Sequence, residues 1–223
     1  MLARVLEPEV MDTPEEARDY DAMDHAAVNR AFVADFLSAA PGVSGPVLDV
    51  GTGTAQIPIE LCRLAPAVSV VAIDLAGEML RLAERNVAAA GLGDRILVER
   101  ANARSLPYPN GRFPAVVSNS IIHHIPDPID CLAEMVRVCQ PDGTLFVRDL
   151  LRPDTDADLS RIVDIYAAGA NDHQRALFAN SLRAALTLAE VRDMVGHYGF
   201  APECVRQTSD RHWTFAATGR LPG

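Results

Sequence analysis

The sequence contains no lysine, so all 20 of its basic side chains are arginines. This absence excludes a lysine Schiff base and a lysine general base, and it leaves His, Asp, Glu and Tyr as proton carriers. The chain also lacks a long basic run, and its formal net charge is -10. A nucleic acid or an anionic membrane is therefore not expected as a partner, and a small molecule is favoured.

Paired cysteines and long apolar segments are missing as well. No apolar run approaches about 18 residues, and the first ten residues include Glu7 and Glu9, so we expect neither a membrane span nor a signal peptide. Without a C-x-x-C pair, a metal site is not predicted, and reduced thiols suit a cytoplasmic protein. The scattered cysteines are Cys62, Cys131, Cys139 and Cys204.

The stretch 46–56 is the most informative part of this 223-residue chain. Its apolar residues fit a buried parallel strand, Gly51 and Gly53 permit a sharp turn close to a ligand, and a helix can begin at Ala55. A second buried strand follows and ends in the carboxylate of Asp74, where it can accept both hydroxyls of a ribose. Together these features predict a nucleotide site.

The segment Asp49-Val50-Gly51-Thr52-Gly53-Thr54 resembles the D-x-G-x-G-T motif of the class I S-adenosylmethionine (SAM)-dependent methyltransferases. A dinucleotide-binding Rossmann domain is the alternative interpretation. Three features oppose it: Gln56 replaces the third glycine of G-x-G-x-x-G, an acid precedes the first glycine, and no second, substrate-binding domain is evident.

The resemblance implies SAM as cofactor and predicts which residues hold it. Leu75 and Met79 are candidates to lie against the adenine, and the N-terminal helix with Tyr20 is expected to cover the site. The loop that follows the third strand resembles the family's D-A-x-x-L-P-F segment, with Asn102 in place of the acid and Pro114 in place of a later acid. The predicted cofactor residues are Tyr20, Asp49, Gly51, Thr52, Gly53, Gln56, Asp74, Leu75, Met79, Asn102, Ala103 and Asn119.

Candidate bases lie at the carboxyl ends of predicted strands, where open α/β sheets bind their ligands. His123 and His124 follow the fourth strand and are expected to face the cleft beside Asn119, while Asp149 ends the fifth strand. A base is needed if the acceptor is a hydroxyl or a protonated amine. The candidates, in falling order, are His124, His123, Asp149 and His25. The acceptor atom itself stays open.

The order of elements predicts an α/β fold with a doubly wound, mostly parallel, seven-stranded Rossmann-like sheet and an N-terminal helical lid. Residues 1–40 are assigned to the arm and lid and residues 41–223 to the SAM-binding core, with a helical substrate cover near 151–186. A turn is predicted over 140–143, before a strand over 144–147. We expect a monomer or a homodimer.

The predicted activity is methyl transfer to a small-molecule acceptor. A non-catalytic SAM-fold subunit remains an alternative, because Asn102 and Pro114 depart from the family pattern. A methyltransferase acting on a macromolecule is a second alternative, although the chain lacks the N-P-P-[YF] signature and a basic surface.

Overall fold

The structure is a computed structural model that describes residues 2–7, 12–22 and 25–219. The rest of the predicted arm, residues 1, 8–11, 23 and 24, lies outside the described residues. One seven-stranded sheet has the order β3-β2-β1-β4-β5-β7-β6. Its strands are β1 (Gly45–Val50), β2 (Val68–Asp74), β3 (Ile96–Arg100), β4 (Phe113–Asn119), β5 (Cys139–Leu150), β6 (Val205–Gln207) and β7 (His212–Thr218).

The pairing confirms the predicted doubly wound, mostly parallel sheet. Strands β1 to β5 pair in parallel, and β7 is antiparallel to both β5 and β6. Eight helices are described: α1 (Pro14–Asp21), α2 (Ala26–Ala39), α3 (Gln56–Leu64), α4 (Gly77–Ala89), α5 (Ile129–Val138), α6 (Asp156–Tyr166), α7 (Asp172–Ala184) and α8 (Leu188–Gly196).

Apolar side chains cover both faces of the sheet, because successive residues of a strand point to opposite sides. Val47 packs in the cluster formed with α2, α3 and α4, whereas its neighbour Leu48 packs in the cluster formed with α5 and α8. Phe146 anchors α2, with its ring centroid 5.2 Å from that of Phe32 and 5.8 Å from that of Phe36. Both faces are therefore buried, as a parallel sheet requires.

The predicted turn over 140–143 is wrong. Helix α5 passes directly into β5, and these residues form an irregularity inside that strand: Phe113 pairs with Cys139, but Ala115 pairs with Thr144. Gly143 is required there, since a Cβ atom would lie 2.8 Å from the carbonyl oxygen of Pro114. The strand also runs to Leu150, one residue past Asp149, where the sequence predicted its end.

The remaining helices lie at the edge of the sheet where the parallel strands end. Helix α1 packs on α4 through Ala17, which shares a buried cluster with Met79 and Leu82. Helices α6 and α7 pack on each other around Leu159, Ile162 and other buried residues, in the segment predicted to cover the substrate. None of the described helices is both long and apolar enough to span a membrane.

Arg95 joins the end of α3 to the start of β2. Its guanidinium group donates to the carbonyl oxygens of Cys62 and Ala65, both at 2.8 Å, and of Val68 at 2.5 and 3.1 Å. Cys62 is in the last turn of α3, where carbonyl oxygens lack a helical N–H partner, so the arginine supplies a donor there. The carbonyl oxygen of Ala65 also accepts from the N–H of Val68, at 3.0 Å.

We expect Arg95→Met to lower the free energy of unfolding by about 2 to 4 kcal/mol, because charged donors to three buried carbonyls are lost while the aliphatic stem is kept. Urea unfolding of both proteins measures the difference. Arg85→Met, at an exposed position on α4, is the matched control and should change stability little. Equal effects of the two substitutions would contradict this role.

Candidate functional site

A cavity opens at the carboxyl ends of β1, β2 and β4, on either side of the point where the strand order reverses. Such an edge is where open α/β sheets bind their ligands. The cavity holds about 130 Å³. It is lined by Tyr20, Gly51, Gly53, Ile73, Asp74, Leu75, Ala76, Met79, Ala101, Asn102, Ala103, Arg104, Asn119, Ser120, Ile121, His124 and Ile125.

The glycine turn after β1 is held against β2. The N–H groups of Gly51 and Thr52 both donate to the carbonyl oxygen of Ile73, at 2.9 and 2.8 Å. Gly51 has φ +76° and Gly53 has φ +54°, both in the left-handed region. A Cβ atom on Gly51 would lie 2.0 Å from Cγ2 of Ile121. Glycine is thus needed both for the backbone angle and for the close packing of the cavity wall.

Asp74 connects this turn to the end of β2. Its Oδ2 accepts from the N–H of Gly53 at 2.8 Å, and its Oδ1 accepts from the N–H of Ala76 at 3.0 Å. Burial raises the pKa of Asp74, and the backbone amides oppose that shift. Each carboxylate oxygen has a further lone pair. The group can therefore also accept hydrogen bonds from a bound ligand.

Three of the predicted cofactor residues do not line the cavity. Asp49, near the end of β1, and Thr52, within the glycine turn, are both buried. Burial, with the nearby charge of Asp74, raises the pKa of Asp49 to about 7 against the opposing effect of the Thr52 hydroxyl. Gln56 instead reaches the arm, where its Nε2 lies 3.4 Å from Oδ1 of Asp21.

Tyr20 covers the glycine turn from the arm. A Cβ atom on Gly53 would lie 3.6 Å from Cε1 of its ring. Burial of the phenol and the charges of Asp74 and Asp49 raise the pKa of Tyr20 to about 12. The ring of His25 packs on the same tyrosine, with centroids 5.1 Å apart. His25, a predicted base, is not part of the cavity wall.

The loop after β3 forms the opposite wall. Oδ1 of Asn102 accepts from the N–H of Arg104 at 2.9 Å, and its carbonyl oxygen accepts from the N–H of Ser105 at 2.9 Å. This tight turn brings Asn102, Ala103 and Arg104 to the cavity, together with Leu75 from the end of β2. Sequence reasoning missed Arg104, although it stands two positions after the predicted Asn102.

The adjacent histidines take different positions on a 3-10 turn, Ile122–His124. His124 lines the cavity, whereas His123 is only 3% exposed and its Nδ1 lies 2.5 Å from Oδ1 of Asp149. The expectation that His123 faces the cleft is therefore wrong. Asp149 is fully buried as well, because β5 continues past it to Leu150.

In the buried pair of His123 and Asp149, the pKa of the histidine is raised and the pKa of the carboxyl group is lowered. Burial alone would lower the pKa of His123, but the charge and hydrogen bond of Asp149 and the charge of Glu7 raise it. Burial alone would raise the pKa of Asp149, but His123 and the N–H group of Leu150 lower it. The backbone N–H of Ile122 also donates to this carboxylate, at 2.5 Å. Asp149 therefore fixes the turn and one ring of the histidine pair.

Glu7 is a site residue that sequence reasoning missed. Its Oε1 lies 3.1 Å from Nδ1 of His124 and 3.6 Å from Nε2 of His123, and Ser181 donates to both of its oxygens, at 3.0 and 3.3 Å. Burial alone would raise the pKa of Glu7. The imidazoles and the Ser181 hydroxyl have the larger effect, so the pKa of Glu7 lies below its ordinary value. No local sequence pattern around residue 7 predicts contacts with residues so distant along the chain.

Comparison with known proteins finds similarity to methyltransferases. Residues 47–143 match a family described as a methyltransferase domain. The ubiquinone/menaquinone biosynthesis C-methyltransferase UbiE of Hahella chejuensis is 32% identical over 145 residues, which are 65% of this chain and 58% of that protein. The demethylmenaquinone methyltransferase of Deinococcus radiodurans is 38% identical over 124 residues, 56% of this chain and 49% of that protein.

The chain thus spans about half the length of these curated relatives. Among solved structures, a SAM-dependent methyltransferase from Aquifex aeolicus superposes with a TM-score of 0.66 at 19% identity, covering 92% of this chain and 97% of that one. At this identity the superposition establishes the fold.

The raised pKa of Asp49 makes stability depend on pH. Its ordinary value is 3.8 and its folded value is about 7, so the folded state binds this proton more tightly than the unfolded state. Stability from this group is therefore fully present below about pH 4 and is lost as the pH rises through about 7. We expect Asp49→Asn, which stays neutral, to gain stability relative to the parent over this interval, by at most about 4 kcal/mol.

Urea unfolding of the cofactor-free protein at several pH values measures this difference. Asp142→Asn, at an exposed position in β5, is the matched control and should track the parent. A stability difference between Asp49→Asn and the parent that does not change from pH 4 to pH 8 would show that Asp49 is ionised in the folded protein throughout.

Proposed function

We propose that this chain is a class I SAM-dependent methyltransferase, which transfers a methyl group from SAM to a small-molecule acceptor. The observation that carries the proposal is the cavity formed by the glycine turn and the carboxylate of Asp74 at the reversal of strand order. A ligand with a ribose and an adenine matches these two features, as the sequence motif predicts.

The walls suit the parts of SAM in different ways. Asp74 has the lone pairs to accept both ribose hydroxyls in addition to its two backbone donors. The adenine ring would lie against Leu75 and Met79, which contribute apolar surface. The carboxylate of Asp49 would face the positive charges of the methionine portion from below the glycine turn, where its ionisation would be favoured by a bound cation.

Asn102 would supply the adenine contact that the family usually assigns to an acid. Its Oδ1 already accepts from the N–H of Arg104, but an amide oxygen has two lone pairs, so one remains for an adenine amine. A neutral acceptor makes a weaker hydrogen bond than a carboxylate. The departure therefore weakens this contact without removing it.

Helix α1 would act as the lid of this site. The cavity of about 130 Å³ is smaller than the roughly 300 Å³ or more typical of small-molecule sites, and Tyr20 lies over the glycine turn. Binding of SAM would therefore displace Tyr20 and the helix that carries it. The contact of α1 with α4 consists of a small apolar cluster around Ala17 and a hydrogen bond from Nδ2 of Asn86 to Oδ1 of Asp21 at 2.8 Å, which this displacement would break.

His124 is the candidate base, because it alone of the four predicted bases belongs to the described cavity wall. The sulfonium group of SAM supplies an electrophilic methyl group, so the protein needs mainly to orient the acceptor and exclude water. Ile121 and Ile125 give the wall beside His124 apolar character suited to an aromatic or other small apolar acceptor. The relatives named as quinone C-methyltransferases make hydroquinones and phenols the first acceptors to examine.

Asp74→Ala should weaken SAM binding by about 1.5 to 3 kcal/mol, the loss of a hydrogen bond to a charged group, or roughly 10- to 150-fold in Kd. Isothermal titration calorimetry measures the affinity. Asp94→Ala, at an exposed loop position, is the matched control and should bind like the parent. An affinity of the Asp74 variant within twofold of the parent would show that this carboxylate does not hold the ribose.

The activity is tested with methyl-labelled SAM and a panel of hydroquinones, phenols, amines, thiols and carboxylates. We expect label in one acceptor class, and we expect His124→Asn to lower kcat by about 10²-fold or more with little change in the Kd for SAM. His197→Asn, at an exposed histidine on another helix end, is the control.

The outcomes separate the competing functions. Absence of SAM binding at millimolar concentration would refute the proposal, and tight SAM binding without transfer to any acceptor would favour a non-catalytic subunit. Transfer of label only to RNA or protein would favour a macromolecular substrate.

A further inference from the structure

Three side chains able to bind a metal meet beside the cavity. Glu7, His123 and His124 each offer one ligand atom, and these atoms all lie within 4.8 Å of one another. The carboxylate oxygen is 3.6 Å from Nε2 of His123 and 3.1 Å from Nδ1 of His124. Two donor atoms bound about 2.0 to 2.2 Å from one tetrahedral ion lie about 3.3 to 3.6 Å apart. The 3.6 Å separation matches this range, and the 3.1 Å separation is slightly shorter.

The outer contacts also match those of a metal site. Nδ1 of His123 faces Oδ1 of Asp149 at 2.5 Å. A carboxylate in this position favours the tautomer with the proton on Nδ1, and in that tautomer Nε2, which faces Glu7, carries the lone pair. Carboxylates commonly orient metal-bound histidines in this way. Ser181 donates to the carboxylate of Glu7 and fixes its orientation.

The segment that carries Glu7 is firmly attached. The guanidinium group of Arg4 donates to four carbonyl oxygens, those of Ala184, Pro126, His123 and Ile125. The N–H of Val5 donates to the carbonyl oxygen of Arg183 at 3.1 Å. Glu7 is therefore held near the histidine turn by hydrogen bonds of the two residues Arg4 and Val5, which precede it.

The contact between Glu7 and His124 has the distance and the electrostatic effect of a hydrogen bond, but not its angular geometry. Nδ1 of His124 is buried, and within the described residues it has no hydrogen-bond partner of acceptable geometry, although the carboxylate oxygen is only 3.1 Å away. Ligand atoms of one ion direct their lone pairs at the ion and not at each other. A close approach without hydrogen-bond geometry is the arrangement that such a site produces.

The geometry points to a site for one divalent transition-metal ion, bound by Glu7, His123 and His124. Two imidazoles and one carboxylate suit Zn²⁺ or another late first-row ion, whereas Mg²⁺ and Ca²⁺ prefer oxygen ligands alone. The ion would also balance the charges of Glu7 and Asp149. This site departs from the sequence-based expectation of no metal, which considered cysteine spacing and could not place Glu7 beside the histidines.

Metal binding here goes beyond the proposed methyl transfer and does not depend on it. Three protein ligands leave a fourth position of a tetrahedral ion open, as in catalytic zinc sites. Since His124 also lines the cavity, an ion in this site can bind an acceptor oxygen and favour its deprotonation, which would replace His124 as a free base. That use of the ion, unlike its binding, rests on the proposed function.

The test uses the full chain, treated with a chelator and then dialysed against Zn²⁺. We expect one Zn²⁺ per chain by elemental analysis, and we expect Glu7→Gln and His124→Gln each to weaken the affinity by about 100-fold or more in calorimetry, because a ligand contributes at least as much as an outer-shell partner. His173→Gln, at an exposed histidine on α7, is the matched control and should bind like the parent.

X-ray absorption of the zinc-loaded parent identifies the ligands without any substitution, so a variant that fails to fold does not obstruct the test. Two imidazoles and oxygen ligands are expected. Absence of stoichiometric zinc, a sulfur ligand, or unchanged affinity in both folded ligand variants would overturn the assignment and leave Glu7 and His124 as an acid–base pair. SAM affinity of the metal-free protein is measured in parallel, so that failure of metal binding is distinguished from failure of the proposed function.

Discussion

The candidate site depends on one buried carboxylate, that of Asp74. It accepts backbone donors from Gly53 in the glycine turn and from Ala76 at the start of α4. The turn is also bound to Ile73, the residue before Asp74, through two further amides. The end of β2 and the loop after β1 therefore form one rigid unit, and the position of each depends on the other.

This unit contains two acids with different tasks. Asp74 is stabilised in its ionised form by amide donors, whereas Asp49 has little besides Thr52 to oppose its burial, and its pKa is correspondingly high. A cation arriving near Asp49 would favour loss of its proton. Burial raises the pKa of both carboxylates, and more donors oppose this effect at Asp74 than at Asp49.

The sequence was informative where the chemistry is local. The glycine turn and Asp74 lie at strand ends whose apolar patterns are clear, so their meeting at one edge of the sheet followed from topology. Adjacent histidines were harder, because a 3-10 turn directs His123 inward and His124 outward, and no pattern distinguishes the two. Glu7 was unpredictable for another reason, since its contacts arise only when the N-terminal segment docks.

The strand β5 illustrates a different difficulty. Residues 140–143 have the composition of a turn, and the chain does bulge there, but pairing with β4 resumes on both sides. Turn-forming residues accommodate a bulge equally well, so composition alone cannot separate the two structures.

Met79 belongs to two environments at once, because it packs with Ala17 of α1 and also lines the cavity. A ligand that orders this side chain must change the free energy with which α1 stays attached, and by reciprocity a substitution in α1 must change ligand affinity. The arm and the cavity are therefore coupled through the flexible side chain of Met79, which contacts both.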